Sequence, residues 1–176
     1  MSNRPFPSSV FAVAGPPDLG PGPRAGVLSE GAVRTEATDA CPGSPEFLAL
    51  ALLWHDHHST AHELVQSGEN RDGNYVHAIL HRREPDYWNS KYWFRRVGRH
   101  PVFAPLGRRV NELLQERGRT QLTATLAPGG QWDPLAFVDA CEAASAGRSQ
   151  DAELLREIQQ VEFELIAEHL LESRSR

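Results

Sequence analysis

The stretch from Asp72 to Gly98, DGNYVHAILHRREPDYWNSKYWFRRVG, decides the fold. A helix is expected from near Asp72, and Pro85 must reset it, because proline disfavours helical geometry in the residue before it. Glu84 is therefore the expected break. Asp86 opens a second helix through Tyr87, Trp88, Tyr92, Trp93 and Val97, which Gly98 and then Pro101 bring to an end. Upstream, Ser44 can cap, Pro45 suits the first helical position and Glu46 suits the positive end of the dipole. With Gly68 as its stop, this predicts one helix from Pro45 to about Ser67. Downstream, helices are predicted over Pro105–Arg117, Pro134–Ala146 and Asp151–Glu172. In the last, Leu154, Leu155, Ile158, Val161, Leu165 and Ile166 recur at helical spacing as one buried stripe. Thr120–Leu126 alternates polar and apolar residues, yet an isolated strand would have no partner, so it reads as a loop. The expected fold is all-α, a compact array of about five or six helices, with residues 44–176 forming a single helical domain.

Residues 1–43 read differently. Pro5, Pro7, Pro16, Pro17, Pro21, Pro23 and Pro42 alternate with six glycines, so a flexible, disordered Pro/Gly-rich arm is expected. The Val10–Ala14 run is shorter than the apolar region of a secretory signal. No apolar run approaches the ~20 residues of a membrane span. The formal net charge of −5 argues against bulk attraction to nucleic acid or to an anionic membrane. Cys41 and Cys141 are too few for a disulfide scaffold, which fits a reducing cytoplasm. Neither suits a nucleophile, Cys141 being expected in the core and Cys41 at the edge of the arm.

Seven of the eight histidines lie between His55 and His100. At ~100° per residue, His55, His58 and His62 share one narrow arc of the first predicted helix. His77 and His81 stand one turn apart on the next, with Glu84 on the same face. A short turn at Gly68–Asp72 would fold these helices into a hairpin and bring the two faces together. Imidazoles with a carboxylate suit a divalent transition metal such as zinc, iron, manganese or nickel. His55, His58, His62, His77 and His81 are the candidate ligands, and His55, His62 and His81 the candidate catalytic groups. Two metal-free readings stand beside this one: acid–base and substrate-binding imidazoles, and histidines bonded within the core. The His55-Asp56 pair is similar to that of the HD phosphohydrolases, but that family needs an earlier histidine and none precedes His55.

Between Arg82 and Arg99 six cations oppose only Glu84 and Asp86. Arginine presents a fork for phosphate or carboxylate, and flat aromatic rings suit a sugar or a base. Arg82, Arg83, Tyr92, Arg95 and Arg96 are the candidate ligand-binding residues, for an anionic or sugar-like small molecule. One short basic stretch on an acidic chain makes a nucleic-acid track the weaker reading. Ion pairing of these arginines with Glu84, Asp86 or Glu112 is the competing one.

The run His81–Phe103, HRREPDYWNSKYWFRRVGRHPVF, resembles the most characteristic stretch of a group of small uncharacterised bacterial proteins. The resemblance covers roughly 52–106 and implies a shared helical domain, with no substrate or catalytic residue attached. Lys91, Tyr92, Trp93 and Gly98 are also similar to one unit of Sel1-like and tetratricopeptide hairpins, although no period of about 34 residues recurs. The functional expectation is an enzyme with a histidine-rich site between the first helices, for which hydrolysis and isomerisation both fit. The alternatives are a helical protein-interaction module with structural histidines, and a homodimer formed through the last helix.

Overall fold

The computed structural model describes residues 9–12, 14–68 and 70–174. Among these residues every element is helical, and no strand occurs. A 3-10 turn at Ser9–Phe11 precedes α1 (Glu30–Ala40), α2 (Pro45–Trp54), α3 (His58–Val65), α4 (Arg71–Arg83) and α5 (Tyr87–Val97). α6 (Phe103–Glu116), α7 (Thr120–Leu126), α8 (Pro134–Ser145) and α9 (Ala152–Arg174) follow.

The centre is α2. From Ala49 to Trp54 all its residues are fully buried, the pattern of a helix covered on all sides. Ser44 caps it by accepting the Phe47 N–H at 3.1 Å, and α1, α3, α4 and α9 pack around it. α4 and α5 form the closest helix pair, bound at their middle by the Ser90 hydroxyl donating to the Ala78 carbonyl at 2.8 Å. Asn70 caps α4 and Asp86 caps α5 through backbone N–H groups three residues on. In α9 the residues Leu155, Ile158, Phe163, Leu165, Ile166 and Leu170 are buried within the same chain, which accounts for its apolar stripe without a second copy.

The expected helix over 45–67 is two helices. Asp56 takes a left-handed φ of 65°, a conformation Asp tolerates better than most residues but which ends a right-handed helix. Its carboxylate is drawn to Arg83 at 2.7 Å and Arg24 at 3.0 Å, so the chain turns at 55–57 and restarts at His58. Thr120–Leu126, expected as a loop, is a short helix that turns partly buried Leu122 and fully buried Leu126, one turn apart, toward the core. These departures, with α1, raise the count to nine helices among the described residues.

Much of the stretch expected as a disordered arm is packed, while residues 1–8 and 13 lie outside the described ones. Composition averaged over 1–43 hides a proline-free run between Pro23 and Pro42. There Ser29 caps α1, Glu30 and Arg34 pair at i,i+4, and Val33 and Ala37 face inward. Val10 and Phe11 are fully buried, Phe11 edge-on to Phe47 and Trp54 at 5.6 Å. Hydrogen bonds hold the residues that follow. Arg24 donates to the carbonyls of Ala14, Gly15 and Pro16, Gln159 to those of Pro17 and Asp18, and Arg83 to those of Asp18 and Gly20. A proline-rich segment has carbonyls without donors in a helix of its own, and arginine and glutamine side chains supply them.

Candidate functional site

α3, α4 and the start of α5 bring three imidazoles together. His77 and His81, one turn apart on α4, have their rings stacked at 4.7 Å. His62, from α3, meets them edge-on at 4.8 and 5.5 Å. One ring nitrogen from each residue falls in a group no more than 4.8 Å across. His77 and His81 are buried, and His62 is partly exposed. Gly68 sets the close approach of the α3–α4 turn: its φ is 66°, and a Cβ there would stand 2.8 Å from the Trp93 ring. That ring lies flat against His77 at 4.0 Å.

His81 turns Nδ1 to Glu84 Oε2 at 3.4 Å and Asp86 Oδ2 at 3.8 Å. The Asn89 amide lies 3.2 Å from its Nε2 and 3.5 Å from its Nδ1. The same Nε2 is hydrogen-bonded to His77 Nε2 at 2.9 Å. His77 Nδ1 completes no hydrogen bond, and the Val65 backbone is the one group favouring a proton on this ring. Burial, with repulsion from His81 and His62, pulls the His77 pKa down to about 3. Burial also lowers that of His81, assisted by His62 and opposed by Asp86. These rings are neutral at ordinary pH, the state in which imidazole binds a metal. Glu84 is pushed up by burial, against the pull of His62.

A second group has similar ingredients and a different arrangement. Asp72, at the start of α4, receives His100 Nε2 at 2.8 Å and His169 Nε2 at 3.1 Å on the same oxygen. The Val102 N–H donates to His100 Nδ1 at 3.3 Å, so the proton of neutral His100 is on Nε2 and points at Asp72. Burial would raise the Asp72 pKa, but His100 and His169 outweigh it and hold the carboxyl below its usual value. This group is a closed hydrogen-bonded triad tying α9 and the α5–α6 connection to α4.

The other expected site residues are distributed as follows. His55, a candidate ligand and catalytic group, is fully buried and turned the other way, its Nε2 on the Val10 carbonyl at 2.8 Å and its Nδ1 accepting the Leu28 N–H at 3.1 Å. Both nitrogens are committed to the N-terminal segment. His58, also a candidate ligand, belongs to neither histidine group, and burial and then Arg83 lower its pKa to about 4. The break at Asp56 separates His55 from His62, whereas His58 shares α3 with His62.

Arg82 and Arg83, expected to hold an anionic ligand, are fully buried. Arg82 pairs with Glu162 at 2.5 Å and lies 4.6 Å over the Phe137 ring, while the Tyr75 hydroxyl donates to the other Glu162 oxygen at 3.2 Å. Arg83 pairs with Asp56 and donates to the Leu53 carbonyl. No solute reaches either. Tyr92, Arg95 and Arg96 are exposed on α5.

Sequence reasoning missed Asn89 and Trp93 as walls of the histidine group, and the Asp72–His100–His169 triad. Asn89 and Trp93 lie one turn apart on the α5 face that meets α4, a periodicity visible once Asp86 is taken as the cap. His169 carried no signal, since its partners are remote in sequence. No family model, curated protein or solved structure matches this chain.

Proposed function

We propose that the protein is a metal-dependent enzyme in which His62, His77 and His81 hold one divalent transition metal, with zinc, iron, manganese and nickel all compatible with imidazole ligands. The carrying observation is the pair of imidazole Nε2 atoms 2.9 Å apart in a buried place. A hydrogen bond holds the two nitrogens at that distance, and displacement of its proton would free both lone pairs for a cation. Metal–nitrogen bonds of ~2.0–2.1 Å in a tetrahedral shell separate ligand nitrogens by roughly 3.3 Å, close to the spacing already present. Three protein ligands leave a coordination position open, the feature that separates catalytic from structural sites.

When bound, such a metal polarises a substrate oxygen or activates water. The chain's own groups prepare for this. Glu84 Oε2, 3.4 Å from His81 Nδ1, would favour the tautomer that presents Nε2 to the metal. Trp93 fixes the plane of the His77 ring, and Asn89 fills the approach to His81. The exposed Tyr92, Arg95 and Arg96 lie on the same helix, α5, and suit an anionic or sugar-like substrate.

Elemental analysis of untagged protein, prepared without chelator, tests the reading. One metal per chain is expected in wild type and none in a folded His77→Ala, His81→Ala variant. His62→Ala, altered at the more exposed ligand, should retain the fold and weaken the site. Failure of wild type to take up any ion from a panel of zinc, iron(II), manganese and nickel would overturn it.

A further inference from the structure

The exposed face of α5 beside the histidine group carries more than the arginines and Tyr92 named so far. Trp88 is 75 % exposed and Tyr92 41 %, and these are the exposed large hydrophobic side chains among the described residues. They lie one turn apart with nearly parallel rings, 13° between planes and 6.2 Å between centroids. Arg96, one turn further, stands 5.9 Å from the Tyr92 ring and 5.4 Å from that of Trp93. At ~100° per residue Arg95 joins the same face. Lys91, at its border, is paired with Asp139 and Glu142. Arg95 and Arg96 have no carboxylate partner among the described residues, where eight other arginines do.

The face is continuous with the histidine group. Trp88 adjoins Asn89, whose amide touches His81, and Tyr92 meets edge-on the Trp93 that stacks on His77. We infer that Trp88, Tyr92, Arg95 and Arg96 form the docking surface for the substrate of the histidine site, a small molecule with a flat ring and an anionic group. This rests on the histidine group as the reaction centre. The rings supply a stacking platform, and unpaired guanidinium groups supply the complementary charge. A bare phosphate or carboxylate would leave two aromatic rings unused. A neutral ring would leave two arginines without a counter-charge. The face is about two helical turns long on an acidic chain, which favours a small molecule over a polymer.

Fluorescence titration with AMP and with 2-naphthoate tests this, with adenosine and ribose 5-phosphate as half-probes, and with and without added zinc. At least one of the two full probes is expected to bind saturably, and AMP at least tenfold more tightly than either half-probe. Trp88→Ala and Arg96→Gln should each weaken binding at least tenfold, with melting temperature and metal content unchanged. Equal binding by Trp88→Ala, ribose 5-phosphate binding as well as AMP, or no binding of either full probe would overturn the inference. Affinity that rises steeply with the length of an oligoadenylate would also overturn it, in favour of single-stranded nucleic acid. Ring binding that persists when no metal is taken up would remove the metal reading and leave the docking surface. Metal uptake without ring binding would do the reverse.

Discussion

Two groups of side chains in this protein have nearly the same composition and opposite chemical character. His62, His77 and His81 direct ring nitrogens at one another, whereas His100 and His169 direct theirs at Asp72. In the second group a backbone N–H occupies the lone pair of His100 Nδ1, and the remaining proton is held by a carboxylate. In the first, carboxylates sit behind His81 Nδ1 and the Nε2 atoms of His77 and His81 meet each other. Proximity of histidines alone therefore does not describe a group. What each ring nitrogen faces does.

The largest effect expected from breaking this contrast is on metal-linked stability. Zinc at 100 times its dissociation constant should stabilise wild type by about 2.7 kcal/mol. His81→Ala should abolish that gain and His169→Ala should preserve it, as read by thermal melts with and without zinc. Equal loss in both would erase the distinction. Next is Asp72→Ala, which leaves two imidazole donors without their acceptor and should destabilise the fold by about 2–3 kcal/mol. Chemical denaturation measures this, with zinc stoichiometry unchanged. Glu84→Gln keeps the size of the side chain behind His81 but weakens its acceptor. Zinc affinity should fall about 10- to 100-fold, measured by competition with a chelator.

A further effect lies outside both groups. His58 has a folded pKa of about 4 against 6.5 unfolded, so below pH 6.5 the unfolded chain binds the extra proton first. The stability from neutral His58 is complete above pH 6.5 and is lost as the pH falls toward 4. His58→Gln should flatten this part of a stability-versus-pH curve. An unchanged slope would show that His58 is not neutral in the folded state.

Local punctuation in the sequence was enough to place α4, α5, α6, α8 and α9, and the start of α2, to within a few residues. Ser44, Pro45, Asp86, Gly98 and Gly118 act within one turn of where they stand. The one-turn spacing of His77, His81 and Glu84 was legible for the same reason. What was not legible depends on partners remote in sequence. The break at Asp56 follows from Arg83 and Arg24, and the burial of Arg82 from Glu162 on α9. His55 and His62 share a helical arc in sequence and face different parts of the molecule, because the arc is interrupted between them. The packed N-terminal segment was hidden by its own composition, which signals missing local hydrogen bonds and says nothing of donors supplied from remote parts of the chain.

That segment also constrains the order in which the molecule can be assembled as it is made. Asp18 is joined to Gln159, 141 positions later, and at about 5–20 residues per second a ribosome needs roughly 7–30 s to bridge that gap. Throughout that interval the carbonyls of Pro17, Asp18 and Gly20 await α4 and then α9. A composition rich in proline and glycine suits the wait, since it neither collapses nor pairs with a neighbouring nascent chain. The N-terminal segment is made first and is fastened last.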